Sequence, residues 1–371
     1  MKKSKRLYSV EGAIHLYSSM PIVMTPADIY SINENLLNSH ALSQCNIYLI
    51  VQRNRIFINP EGFSLNHRTV HGQFLTHTAN RIRKVPFEFI IPSDIVPLDI
   101  AIKEVAVALN GTTLLIQTEN KDHIINVNKL ISYSKSDLYY TETDLRVVYI
   151  GQGIGRIYPR TSVNRLRSHT SLQRILSDIV TFTPEMDVFI LLYRFEHSRT
   201  ILSNGGNLNL EPESSWEMES IHFNNLQNVK LTRNQIVSLA EAALINYFQP
   251  QYNILLKSRN FASKNKIKVI SDLFNSGMVG LIVEICSSSI KSRIGTTHAP
   301  PKDPTTDWPE DIVSGVNLTG SAMLNSWIED LYMLRHTHIA EFELTTEVER
   351  NTFLHGTVFL DDAHSKDNIN V

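Results

Sequence analysis

Tyr139, Tyr149, Arg165, His169, Glu241 and Asn253 are the residues whose types and spacing could do chemistry together. A carboxylate can hold a hard divalent cation, and the planar fork of an arginine suits phosphate oxygens. Arg165 and His169 are four apart, so a helix puts them on one face. Glu241 stands at the edge of an apolar helical stripe, beside Val237 and Phe248. A carboxylate there can line a cleft instead of pointing to bulk water.

The elements that must position these side chains are legible in order. The run 145–151 is rich in β-formers and leads into Gly151, which predicts a buried strand ending in a turn. Asp137-Leu138-Tyr139-Tyr140-Thr141 is the expected partner strand, with Glu142-Thr143-Asp144 as the turn. Thr161 or Ser162 caps a helix whose apolar stripe is Leu166, Leu172, Ile175, Leu176 and Ile179. A third strand follows over 187–193. Thr232-x-x-Gln235 is a capping-box pattern opening a second helix, with Ile236, Ala240, Ala243, Leu244 and Tyr247 on its buried side. Pro250 ends that helix just before Tyr252-Asn253.

Here the sequence resembles the GIY-YIG nuclease family. Tyr149-Ile150-Gly151 is the second half of the family signature, and Arg165-Leu166-Arg167-Ser168-His169 looks like its first-helix motif. Glu241-Ala242-Ala243-Leu244-Ile245 through Gln249-Pro250-Gln251-Tyr252-Asn253 looks like its closing motif. Asp137-Leu138-Tyr139 stands where Gly-Ile-Tyr is expected, and Tyr140 or Tyr133 could serve in another hairpin register. The loop from Gly151 to Arg165 is longer than the family's, and a polar stretch over 197–228 precedes the second helix.

The resemblance covers 129–257. It implies an α+β fold with a small three-stranded GIY-YIG-like sheet and flanking helices. The implied activity is a divalent-metal-dependent endonuclease hydrolysing phosphodiester bonds, with DNA the substrate by family resemblance. Glu241 would bind one Mg2+ or Mn2+, and Arg165 would contact the scissile phosphate. Tyr139 or Tyr149 would orient or deprotonate the attacking water. His169 would assist proton transfer or hold a phosphate, and Asn253 would brace the site. The alternative is a nucleic-acid-binding module that keeps the fold without cutting.

The remainder divides into a β-rich accessory, target-recognition region, 1–128, and a mixed C-terminal accessory region, 258–371. In the first, 46–51 and 55–58 have a hairpin pattern, and 85–91 is β-like. The stretches 105–109, 113–117 and 123–127 form a meander with Asn110-Gly111 as its first turn. Helix is expected within 26–42.

The chain has 371 residues, 42% hydrophobic and 19% charged, enough to bury two or three cores. Its net charge is −2, so bulk electrostatics do not announce a nucleic-acid partner. Arginines 146, 156, 160, 165, 167 and 174 still cluster, as do Lys257, Arg259, Lys264, Lys266 and Lys268. Two distant cysteines, Cys45 and Cys286, offer neither a zinc ribbon nor a disulfide framework. No leader-like or membrane-spanning apolar run is visible, so the expected setting is cytoplasmic, with no membrane partner. Gly151-Gln152-Gly153-Ile154-Gly155 hints at dinucleotide binding, but Arg156 stands where the third glycine belongs and Pro159 interrupts the helix. His336-Thr337-His338 and Asp361-Asp362 with His364 read as surface groups.

Overall fold

Ile47–Asn54, Leu145–Gln152 and Met186–Tyr193 are nearly continuous runs of apolar β-formers, the pattern of strands covered on both faces. In the computed structural model they are the centre of one sheet. The structure describes residues 6–32, 40–78, 81–153, 162–167, 170–204, 211–256, 264–303, 321–345 and 350. Helices and strands are mixed throughout it.

The central sheet runs in the order Ile294–Gly295, Leu145–Gln152, Ile47–Asn54, Met186–Tyr193, Ile22–Met24. Its three long strands pair antiparallel. A second sheet runs in the order His197–Ser203, Glu11–Tyr17, Met278–Cys286, Thr337–Glu343. The helix Arg233–Phe248 lies between the two. Its Val237, Leu239, Ala240 and Ala243 share one core with Leu49, Val147 and Ile150 of the first sheet and Ile14, Leu281 and Val283 of the second. The sequence pattern suggests a stripe, whereas the structure buries this helix almost all round because a sheet covers each side. Ala240, Ala242 and Ala243 let both sheets approach closely. The opposite face of the central sheet carries Tyr48, Ile50, Val148, Tyr149 and Ile190. They pack on Val163, Leu166, Leu172 and Ile175 of the helices Ser162–Leu166 and Thr170–Phe182.

The partner of Leu145–Gln152 is Ile47–Asn54, not the 137–141 segment. That segment instead leads into a short helix, Tyr140–Thr143. The 46–51 and 55–58 stretches likewise form no hairpin. A strand apolar on both faces belongs inside a sheet covered on both sides, where each of its edges must also find a pairing strand, and 47–54 finds these in 145–152 and 186–193. Ile56–Ile58 turns away to pair with Thr69–Thr78.

Between the two paired strands the chain builds a separate unit. Thr69–Thr78 and Arg81–Ile90 form its longest hairpin. Ile102–Val107, Thr113–Thr118 and Asp122–Asn126 form the expected meander. Gly111 has a φ of +67°, as its turn requires. Phe74, Phe87, Phe89, Leu114, Ile116 and Leu130 give this unit its own core. Thr76, Arg83 and the Tyr139 amide all donate to Glu142, and Arg293 grips Asp144 through two bonds of 2.8 and 2.7 Å. These contacts fix the chain where it returns to the central sheet.

The cores therefore do not divide at 128/129 and 257/258. Strands from all three proposed regions meet in the two sheets. The polar stretch 197–228 is not a loop either, since it contains His197–Ser203 and the helix Trp216–Gln227. No helix among the described residues is long and apolar enough to cross a membrane.

Candidate functional site

Tyr149 and Tyr48 stand on adjacent strands, on the face that packs against the Thr170–Phe182 helix. Their ring centroids are 6.1 Å apart with planes inclined by 26°. A register shift between Val147 and Tyr149 turns Tyr149 to the same side as its buried neighbour Val148. The Tyr149 side chain is hydrogen-bonded to those of Tyr48 and Ser171. Gly151 lies directly opposite Tyr48 in the ladder. A Cβ at Gly151 would come within 2.5 Å of the Tyr48 hydroxyl and 3.0 Å of Tyr149 Cε1. The glycine is thus needed for close approach of two phenols. Its open side is filled by Tyr48, and Ile154 and Gly155 of the glycine-rich stretch lie outside the described residues.

Asn253 is wholly buried and closes the edge of this strand. Its Oδ1 accepts from the Ile150 amide at 2.8 Å, and its Nδ2 donates to the Ile150 carbonyl at 2.9 Å. One side-chain amide thereby takes the place of a neighbouring strand. It can do so because Ile294–Gly295 pairs only with Leu145 and Arg146, so that short strand does not cover 147–152. Pro250 ends the long helix, and the 3-10 turn Gln251–Leu256 then brings Asn253 alongside.

Glu241 belongs to the helix on the other face of the sheet and is half-buried. The uncovered edge lets its carboxylate come within electrostatic reach of both phenols. Arg165 projects from Ser162–Leu166, whose Val163 and Leu166 are buried beneath it. It is exposed and also acts on both phenols. Burial pushes both tyrosines above the ordinary phenol range. For Tyr149 the Glu241 carboxylate adds to this rise and Arg165 opposes it. For Tyr48 the neighbouring Tyr149 and Glu241 raise it while Arg165 lowers it. At neutral pH the pair is uncharged and can donate or accept hydrogen bonds.

Tyr139 is not part of this cluster. It is 60% exposed, and its ring lies 4.1 Å from the Arg83 guanidinium carbon. Tyr140 sits between Arg293 and Arg335, at 4.8 and 4.7 Å. Tyr133 is half exposed, near Lys129. The tyrosine that accompanies Tyr149 is Tyr48, which sequence reasoning missed. Asn46-Ile47-Tyr48 opens a strong β-run, and that was the available signal. Hairpin pairing between sequence neighbours cannot reach it, because the 56–136 unit separates the two strands. His169 lies outside the described residues.

Arg167 has a structural task, donating to the carbonyls of Ile29 and Ile32 at the end of the Pro26–Ser31 helix. Arg146 remains exposed on the strand edge, with Nη2 donating to Gln251 at 3.3 Å. Among the described residues no group of three or more His, Cys, Asp or Glu is placed to hold a metal ion. Glu241 is the carboxylate among the described residues that acts on both phenols, and it could serve as a single carboxylate ligand. That suits a small hard cation that keeps most of its water and takes phosphate oxygens from a substrate. Comparison of the chain with protein-family models, with curated proteins and with solved structures gives no match.

Proposed function

We propose that this chain is a divalent-metal-dependent endonuclease of the GIY-YIG type, acting on phosphodiester bonds, with DNA as the substrate. One observation carries the reading: Tyr48, Tyr149, Arg165 and Glu241, from four separate elements, share one electrostatic neighbourhood. Asn253 braces the strand between them. Three antiparallel strands with helices on both faces supply the scaffold, although a whole β-unit is inserted between the first and second.

Arg165, exposed at the rim, holds the scissile phosphate through its guanidinium fork and offsets charge as it develops. Tyr149 hydrogen-bonds the attacking water and orients it toward phosphorus. Tyr48, at 0% exposure, does not meet solvent and instead holds the Tyr149 hydroxyl in place. Glu241 would carry Mg2+ or Mn2+, whose chemistry is to neutralise the phosphate and stabilise the leaving oxygen.

The test is incubation of purified protein with plasmid and magnesium or manganese. Glu241→Ala and Arg165→Ala should each cut nicking by about 100-fold or more, the scale of removing one preorganised charge. Tyr139→Phe should leave it unchanged. Tight binding without nicking, across metals and substrates, would instead support a non-cutting nucleic-acid-binding module.

A further inference from the structure

The tertiary structure sorts the arginines that cluster in the sequence around the candidate site. Arg165 acts on the phenols, and Arg167 is spent on the carbonyls of Ile29 and Ile32. Arg156 and Arg160 lie outside the described residues. Arg146 and Arg174 remain, one on the Leu145–Gln152 strand and one on the Thr170–Phe182 helix.

The 3-10 turn Gln251–Leu256 gathers these two. Gln251 accepts from Arg146 Nη2 at 3.3 Å. The next residue, Tyr252, donates its hydroxyl to Asp178 Oδ2 at 2.9 Å. Arg174 Nε stands 3.9 Å from that same oxygen. At that distance the contact is an ion pair without a hydrogen bond, so the guanidinium keeps its donors for another acceptor. The Arg174 side chain is 71% exposed, and Arg146 is exposed as well. Burial and the bond to Asp178 raise the Tyr252 phenol, while Arg174 and Arg146 both pull it down. Both guanidinium charges therefore reach one hydroxyl. Asp178 is the one carboxylate acting there against two cations, which leaves a net positive charge facing solvent.

Both arginines lie on the side of the sheet that carries the phenols. Arg146 stands opposite Gln52 in the ladder and Tyr149 opposite Ile50, and Gln52 and Ile50 are two apart on one strand. Cross-strand partners share a face and the face repeats every second residue, so Arg146 and Tyr149 rise on the same side. The Thr170–Phe182 helix covers that side through Leu172 and Ile175. Its Ser171 bonds the Tyr149 hydroxyl, and Arg174 follows three residues later on the same helix face. Arg146 also marks where the sheet edge opens, since Ile294–Gly295 pairs no further than that residue.

We infer that Arg146 and Arg174 clamp one backbone phosphate of the DNA strand on which the Tyr149 site acts, a reading that rests on the proposed nuclease function. Each guanidinium offers a planar fork of donors that matches phosphate oxygens. Gln251 steadies Arg146 without neutralising it, and the long contact to Asp178 leaves Arg174 able to turn to an anion. A contact of this kind reads the backbone and no base, so it fixes where the strand lies and not its sequence.

The experiment is fluorescence anisotropy of the full chain, without metal, on a labelled DNA duplex across about 50–200 mM salt. Arg146→Gln and Arg174→Gln should each weaken binding about threefold or more, and the double variant about tenfold or more, equally on a second sequence. In the double variant the slope of log affinity against log salt should flatten by about 0.9, the value for one phosphate on B-DNA. Asp178→Asn removes the competing carboxylate and should leave binding equal or tighter, whereas a merely structural Arg174–Asp178 pair would lose affinity. Lys121→Gln, in the inserted unit, should leave binding within twofold. Arg174→Gln is a surface change and guards against misfolding of Arg146→Gln, with thermal melting as the check. Double-variant binding within twofold of the unaltered chain, an unchanged slope, a loss in Asp178→Asn or an equal loss in Lys121→Gln overturns the clamp. A double variant that binds and nicks as before removes the clamp and leaves the nuclease reading standing. Binding that depends on both arginines, with no nicking by the unaltered chain under any metal, sinks the nuclease reading alone. No duplex binding by the unaltered chain overturns both.

Discussion

Replacing Asn253 by leucine tests whether one buried side chain stands in for a missing strand. The leucine has similar bulk and can neither donate nor accept. It leaves the Ile150 amide and carbonyl unpaired inside the protein, since both Ile150 and Asn253 are 0% exposed. Each orphaned backbone group costs about 1–3 kcal/mol, so the pair should cost about 2–6 kcal/mol. Asn253→Asp separates the two bonds. An aspartate still accepts the Ile150 amide at the 2.8 Å contact but cannot donate at the 2.9 Å contact when ionised. It should bind its proton tightly and regain a donor, so Asn253→Asp should be less damaged at pH 5 than at pH 8. The assays are denaturant midpoints at both pH values and hydrogen exchange at the Ile150 amide. A loss below about 0.5 kcal/mol for Asn253→Leu, with Ile150 protection unchanged, would refute the reasoning.

Gly151→Ala should cost about 1–3 kcal/mol as an overpacked core site, because the Tyr48 ring it strikes is buried and cannot swing aside. Thermal melting reads that cost, and nicking should fall with it if the phenols are forced apart. Burial lowers His336 and His338 to about 4 from an ordinary 6.5, against opposing hydrogen bonds to carbonyls. Between those values the unfolded chain binds protons that the folded chain refuses, so stability is full above 6.5 and falls as pH drops toward 4. The slope should be about 1.4 kcal/mol per pH unit for each histidine, read from denaturant midpoints at pH 7 and 5, and His338→Gln should flatten it. Burial pulls the Glu142 carboxyl up, but bonds from Arg83, Thr76 and the Tyr139 amide outweigh it and hold it below the ordinary range. Glu142→Gln should then cost about 1–3 kcal/mol and expose the 137–144 segment to limited proteolysis, with the intact cutting pattern as the contrary result.

Local elements were legible where the physics was local. The Thr232–Gln235 capping box forms as the spacing suggests, with the Thr232 amide donating to Gln235 at 2.8 Å. The 186–193 strand and the 102–126 meander follow directly from β-run and turn patterns. The helices that carry Arg165 and Glu241 were also readable as helices, because their caps and apolar positions lie a few residues apart. Pairing was not readable. Tyr139 looked like the partner of Tyr149 only because it was nearby in sequence.

The sequence by itself determined the strands over 145–152 and 186–193, the 102–126 meander and the helix capped by Thr232, since those depend on residues a few positions apart. Only the tertiary structure decided that 47–54 pairs with 145–152 across an inserted unit, and so that Tyr48 faces Tyr149. It alone decided that an open sheet edge admits Glu241 and is closed by Asn253. Strand pairing is a contest among distant segments for the same backbone hydrogen bonds, and burial of both faces selects the winner. No local spacing encodes that outcome.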